Sequence, residues 1–463
     1  MNRSLALSLI ILPVLILLPA APVQAQAQGP TYIVQAGDSC SYIAMQFGVS
    51  LTDLMQVNGL ADNCLIHPGN PLTIPGLDGI SGVLTSKTVE LGENLATLAL
   101  RYGMSQDALF RLNHVVNPER IAAGQSIIVT EPEEGAAGWP RWEKGRALSV
   151  TSGMPLIAQA AAAGRNPWEL AAQNNLSSMA DQFTGRTILV TGGAKPIRAW
   201  PAPLEDIRFR SLPLVQGSTG EVYLAIPGAT QAEGMLGDWA LHFRPAGVYL
   251  VALQGLHAEA TPGLYPFSVT VTLPDGGTVS FQQDVSLVAG EFGLDGNITV
   301  PTETLDPAII QAEAVQVSQY VTGFSEQRNW EGVFLQPSNL GIGSKFGNRR
   351  SYNNGVYSTF HTGIDFYGRE KAPFLAPATG VVVFIGPLTI CGNTTIIDHG
   401  WGVYTRYCHQ YAFNVNVGDT VQTGQEIGQV GETGRADGPH LHWEVWVGGV
   451  QVNPMQWLAE VFP

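Results

Sequence analysis

Hydrophobic and polar positions follow different rhythms along the chain. Residues 5–18 form an apolar run broken only by Ser8 and Pro13. Further on, a short segment, Tyr32-Ile33-Val34, leads into a polar turn, Ala36-Gly37-Asp38-Ser39. Helix-period stretches over 42–47 and 51–58 follow, and a turn at His67-Pro68-Gly69 precedes a second strand, Leu72-Thr73-Ile74. This pattern predicts a small βααβ unit. Gly37, Phe47-Gly48, Asn58 and Gly69 recur 55 residues later as Gly92, Tyr102-Gly103, Asn113 and Gly124. They recur again after a further 61 as Gly153, Ala163-Gly164, Asn174 and Gly185. A fixed internal spacing marks a tandem array.

From about residue 196 to 300 the period becomes two. Segments 222–226, 249–253, 267–271 and 279–281 read as short strands, with turns such as Pro274-Asp275-Gly276-Gly277. Strands so spaced predict an Ig-like β-sandwich. His242 and His257 in this region have no partner at metal-ligand spacing and read as ordinary residues. Residues 304–329 carry an Ala/Ile/Val/Gln pattern that predicts a helical connector. Beyond it, β-rich runs such as 380–385, 395–398 and 443–446 predict a mainly antiparallel β domain. The expected fold is therefore multidomain: βααβ modules at 30–76, 87–131 and, in degenerate form, 146–192; a sandwich at 196–300; a connector at 301–332; and a final domain at 333–463.

Composition narrows the function classes. The 463 residues carry a net charge of -15, with 45% hydrophobic and only 13% charged residues. That excludes an acidic disordered chain. It argues against nucleic-acid binding and against electrostatic capture by anionic polymers or lipids. Arg3 ahead of the apolar run, and small residues at Val23-Gln24-Ala25 and Ala25-Gln26-Ala27, predict a signal peptide over 1–27, cut after Ala25 or Ala27. The alternative is a retained anchor, for which the run is short. Secretion to the cell wall or periplasm is expected. Four cysteines, Cys40, Cys64, Cys391 and Cys408, fit disulfides in an exported chain, two local pairs being the natural arrangement and packed thiols the alternative. Cys391 and Cys408 flank a predicted hairpin, 394–398 with 403–407, turning at His399-Gly400-Trp401. The register that sets Asp398 opposite Trp401 sets Cys391 opposite Cys408.

At the repeated residues the unit resembles a LysM domain. Copy one, TYIVQAGDSCSYIAMQFGVSLTDLMQVNGLADNCLIHPGNPLTIP, matches over its whole length, copy two matches well, and copy three is degenerate. The resemblance implies binding of N-acetylglucosamine glycans, chiefly peptidoglycan. It implies a shallow site between the Gly37-Asp38-Ser39 turn and the loop before Ile66, and the same in copy two at Gly92, Glu93 and Asn94. Cys40 stands where the family has a buried Leu, which suggests a Cys40–Cys64 bridge.

The chemistry gathers at the end of the chain, where five of the nine histidines follow residue 360. His361 and Asp365 form an H-x-x-x-D, His440 and His442 an H-x-H, and His409 closes a predicted strand. On a strand, residues i, i+2 and i+4 share a face. Four imidazoles and a carboxylate on one sheet face are costly to bury unless they bind something. Zinc suits that donor set, and a catalytic zinc keeps one position open. Cys391 and Cys408 lack CxxC spacing and are poor ligands. Here the chain resembles the lysostaphin-type, LytM-like zinc endopeptidases of bacterial walls. The matching segments over 333–456 are SKFGNR, HTGIDF, APATGVVVFIG, IIDHGWGVYTRYCHQ, VNVGDTVQTGQEIGQVGETG and GPHLHWEV. The resemblance implies one Zn2+ held by His361, Asp365 and His442, with His409 and His440 as catalytic histidines. Either could be the base. Arg435-Ala436-Asp437 departs from the family's Ser/Thr-rich loop and puts substrate preference, not chemistry, in question. The expected activity is hydrolysis of stem or cross-bridge peptides in peptidoglycan. A wall-binding scaffold or hydrolase activator without catalysis is the alternative.

Overall fold

The computed structural model describes residues 29–114, 117, 121–131, 144–149, 155–162, 164–174, 176 and 187–463. The expected signal peptide, Ala163 and the repeat glycines Gly153 and Gly185 lie outside the described residues.

The first module pairs strand Thr31–Ile33 antiparallel with Pro71–Thr73. Helices Cys40–Phe47 and Leu51–Val57 connect them. Ser39 caps the first helix by accepting from the Tyr42 amide, and Gly48 ends it at φ 64°, a left-handed turn that a side chain resists. Ile43, Phe47, Leu54, Leu72 and Ile74 are buried. Cys40 and Cys64 form a disulfide.

The repeated asparagine has a definite task. Asn58 Nδ2 donates to Leu54 O and Thr73 O, each at 2.8 Å, while its Oδ1 accepts from the Thr73 amide at 2.7 Å. Asn113 ties Leu109 to Ile128 in the same way, and Asn174 ties Leu170 to Leu189. One amide thus fastens the end of the second helix to the closing strand in every copy. The third copy keeps this arrangement, with helices Leu156–Ala162 and Pro167–Gln173 beside the antiparallel strands Lys144–Ser149 and Thr187–Pro196.

The second compact unit runs from Ser86 to Val129 and from Ala137 to the end. Its middle part is two antiparallel sheets face to face. One contains Gln231–Leu236, Gly263–Thr272 and Thr278–Val288; the other contains Tyr249–Gly255, Thr219–Ala225 and Asp206–Phe209. Alternate residues Val222, Leu224, Phe267, Val269 and Val271 fill the shared core. Strand Leu294–Ile298, expected to belong to this sandwich, instead pairs parallel with Arg349–Tyr352 of the last domain. Its Asp295 is drawn there by Arg350 and Asn348.

The helix Pro307–Val321 begins with Asp306 accepting from the Ala308 amide. It packs Val317 and Val321 on Leu388, Ile396 and Tyr404 of the last domain. That domain is built on an antiparallel sheet whose consecutive strands are Gly341–Ser344, Ile364–Tyr367, His440–Val447, Val403–Cys408, Gly392–Gly400 and Gly380–Leu388. The hairpin register differs from expectation. Asp398 faces Tyr404 and Gly400 faces Val403, so the turn is Trp401-Gly402. Both take left-handed angles, φ 52° and 74°, as a two-residue hairpin requires. Cys391 still reaches Cys408, from just before its strand, at a Cα separation of 4.9 Å.

Candidate metal centre

The sheet register assembles the site. Asp365 sits opposite His442 on one side, and Cys408, next to His409, sits opposite His442 on the other. Along the central strand His440, His442 and Glu444 share a face, while Leu441, Trp443 and Val445 enter the core on the opposite face. His361 arrives four residues before Asp365. All five expected residues, His361, Asp365, His409, His440 and His442, are buried and come together.

Three donor atoms converge. His361 Nε2 lies 3.0 Å from Asp365 Oδ1 and 2.9 Å from His442 Nδ1, and His442 Nδ1 lies 2.8 Å from Asp365 Oδ1. The outer atom of each group is anchored. His361 Nδ1 donates to the Lys345 carbonyl at 2.9 Å, which leaves Nε2 with its lone pair. Arg350 donates to Asp365 Oδ2 at 2.5 Å. His442 Nε2 donates to Glu444 Oε1 at 3.0 Å. Two lone pairs and a carboxylate oxygen facing one another call for one positive charge between them. Among the described residues no other cluster of three or more His, Cys, Asp or Glu offers such a grouping.

The electrostatics follow from that demand. Burial lowers the His442 pKa, but hydrogen bonds to Asp365 and Glu444 outweigh it, and the net shift is upward. A proton thus answers the demand for charge when no metal does. Burial alone would raise Asp365, yet His361 and His442 hold it well below the carboxylate range. Burial drives His409 well below its ordinary value, aided by His440 and His442, so this imidazole stays neutral. The residues present fit a zinc ion: two imidazoles and a carboxylate, each with a hydrogen-bonded outer atom.

His409 and His440 flank the three donors, with ring centroids 4.6 Å apart. His409 Nδ1 donates to the Thr433 carbonyl at 2.7 Å and His440 Nδ1 to the Gly438 carbonyl at 2.9 Å. Each therefore keeps a lone pair on Nε2. His440 Nε2 lies 3.8 Å from Asp365 Oδ1. His409 holds a left-handed backbone, φ 60°, an unusual state for such a residue and one seen at functional sites.

Several supporting residues escape sequence reasoning. Glu444 also accepts from Thr362 Oγ1 at 2.6 Å, from Arg406 at 2.6 and 2.7 Å, and from Trp446 Nε1 at 2.7 Å. Its position two residues after His442 on a strand is the signal that could have found it. Arg350 bonds in turn to Asp295 at 2.9 Å, and nothing in sequence spacing links residues 295, 350 and 365. His399 is buried away from the site, between Thr379 O and Thr405 Oγ1, each at 2.8 Å. His242 and His257 pack against Phe324 and Phe360.

Of the expected glycan residues, Gly37 and Ser39 are exposed and Asp38 is half-buried, its carboxylate accepting from Tyr32 Oη and the Gln35 amide. Asn94 is exposed, but Gly92 and Glu93 are covered by the sandwich.

Residues 359–454 match peptidase family M23, and residues 32–75 and 88–130 match the LysM domain. The chain carries an M23 peptidase domain and two LysM domains. The third copy is outside both matches. Among similar proteins, DD-carboxypeptidase/endopeptidase Mpg of Neisseria meningitidis serogroup B is 45% identical over 95 residues, 20% of this chain and 22% of that protein. Peptidoglycan DD-endopeptidase ShyA of Vibrio cholerae is 39% identical over 115 residues, 25% of this chain and 27% of that protein. The match thus spans about a quarter or less of these relatives. The catalytic domain of lysostaphin from Staphylococcus simulans is 30% identical, covering 27% of this chain and 98% of that structure, with a TM-score of 0.24. Among the described residues no helix of the M23 or LysM domains, or of the parts between, is long and apolar enough to cross a membrane.

Proposed function

We propose that the protein is an exported, zinc-dependent endopeptidase that hydrolyses peptide bonds in the stem or cross-bridge peptides of peptidoglycan, held to wall glycan by LysM. The observation that carries this reading is the convergence of His361 Nε2, Asp365 Oδ1 and His442 Nδ1, each braced from behind. The M23 match and the peptidoglycan endopeptidases among its relatives support the substrate class.

His361, Asp365 and His442 would hold the ion. When bound, zinc supplies Lewis acidity at the scissile carbonyl and makes water acidic enough to attack near neutral pH. Of the chain's own residues, His409 and His440 do the proton work. Both are held as the Nε2 lone-pair tautomer by backbone carbonyls. In that state either can take the proton of the attacking water on Nε2, and the other can steady the oxygen that gains charge only after its own Nε2 has been protonated and can donate. Glu444 and Arg350 keep the ligands aimed, so little reorganisation is left for the transition state.

The test is direct. The purified mature chain should bind one zinc per molecule and release new amino groups from purified sacculi. His442→Ala should lose both. A His442→Ala protein that digests sacculi like the wild type would remove this assignment, and a wild type with neither property would leave the scaffold reading.

A further inference from the structure

We propose that the second LysM module is a docking element whose glycan groove is filled from within by Gln283 of the sandwich, so that of the two LysM domains only the first is open to sugar. The inference rests on the reading of these domains as glycan binders.

The expected groove of the second module lies between the turn at Gly92-Glu93 and the loop at Ile121. Gln283, on strand Thr278–Val288, bridges those two walls. Its Oε1 accepts from the Gly92 amide at 2.8 Å. Its Nε2 donates to Glu93 O at 2.9 Å and Ile121 O at 3.1 Å. A carboxamide that accepts from one backbone amide and donates to backbone carbonyls offers the same groups as the acetamido substituent of N-acetylglucosamine. The side chain stands in for that substituent and uses the backbone partners a sugar would need.

The rest of the seam is built like a protein core. Ala123 donates to Asp284 O at 2.9 Å and accepts from the Ser286 amide at 2.7 Å, extending the sheet edge. Leu91 and Ala123 belong to the sandwich's own hydrophobic core. Gly92 O accepts from the Ala199 amide at 2.7 Å. A Cβ on Gly92 would fall 2.5 Å from the Trp200 ring. Glu93, 1% exposed, lies under Arg101 and Arg198 instead of facing solvent.

The first module differs at the same positions. Fifty-five residues earlier stand Ala36 for Leu91, Pro68 for Ala123 and Gly37 for Gly92, all exposed. Nothing lies within 4 Å of a Cβ built on Gly37. Leu91 supplies the larger side chain that the sandwich core buries, and Ala123 supplies an amide hydrogen that Pro68 lacks. A cleft of about 710 Å³ remains along the seam, lined by Gly92, Glu93, Asn94, Ile121 and Gln283 among others, but the backbone groups of Gly92, Glu93 and Ile121 that a sugar would use are already engaged by Gln283.

Hydrogen exchange on the full chain, with and without a soluble N-acetylglucosamine oligomer, tests this. Without sugar, peptides covering 91–95 should exchange roughly a hundredfold more slowly than those covering 36–40. The oligomer should slow exchange at 36–40 and leave 91–95 unchanged. Gln283→Ala, or Gln283→Glu, which keeps the shape but cannot donate to the two carbonyls, should speed exchange at 91–95 and make it respond to sugar. Equal exchange in the two turns without sugar, or a sugar response at 91–95 in the wild type, would overturn the proposal. The failure of 36–40 to respond would instead overturn the glycan reading, because the protection of 91–95 is measured with no sugar present.

Discussion

Glu444 shows how much one buried side chain decides at the candidate metal centre. It is fully buried and receives His442, Thr362, Arg406 and Trp446 at once. Burial would raise its pKa, but Arg406 and His442 hold it far below the usual carboxylate range, so it stays charged. That charge keeps the proton of His442 on Nε2 and the lone pair on Nδ1. Glu444→Gln should therefore weaken zinc binding by roughly ten- to a hundredfold, measured by chelator competition, with the fold retained. His399 provides a separate test, remote from the His361–Asp365–His442 cluster. Burial lowers its pKa from 6.5 to about 4. Above pH 6.5 both folded and unfolded states hold it neutral. Between 6.5 and 4 only the unfolded state takes the proton, so stability falls as pH falls, by about 1.4 kcal/mol per pH unit. His399→Gln should flatten that part of the dependence, seen in denaturant midpoints at pH 4.5 and pH 7 against the wild type.

Among the elements, two fasteners matter most. The Asn58 clamp gives three hydrogen bonds from one side chain between helix end and closing strand. Asn58→Ala should cost the first module roughly 2–3 kcal/mol, read as faster hydrogen exchange over 71–74. The Cys391–Cys408 bridge, with a sequence separation of 17, holds the end of the strand that delivers His409. The His409 amide donates to Cys391 O at 2.7 Å, and Glu313 of the connector helix accepts from the amides of Ile390 and Cys391. Replacing both cysteines by Ala should cost about 3 kcal/mol and lower kcat more than it raises KM, as steady-state peptide hydrolysis would report.

The whole molecule is less modular than its repeats suggest. The second LysM domain shares the sandwich core through Leu91 and Ala123, and the sandwich joins the M23 core through Leu253 and Ala258. Trp457 of the last helix donates to Thr219 of the sandwich at 3.0 Å. Truncation should reveal this. The melting temperature is the readout. Removing residues through 193 should lower it by several degrees and promote aggregation, because the sandwich then exposes the face that Leu91 covers.

Much of this was readable in one dimension because the physics was local. The βααβ unit follows from helix and strand periods and left-handed glycines such as Gly48, and the spacing of Asn58, Asn113 and Asn174 marked a constraint before its bonds were seen. H-x-x-x-D and H-x-H placed candidate ligands on common strand faces because the pleat has period two. What the chain could not disclose depends on residues far apart in sequence. The hairpin register was set by the left-handed Trp401-Gly402 turn. Asp295 left the sandwich for Arg350. The turn expected to bind glycan in the second LysM domain has the residue pattern of the first, yet Gln283, Arg198 and Trp200 close over it from positions no spacing rule connects. Sequence alone determined which side chains are candidates for the chemistry and where the local periods change. Tertiary packing decided that the turn of the second LysM domain is covered, since burial of a turn depends on what distant residues bring to it.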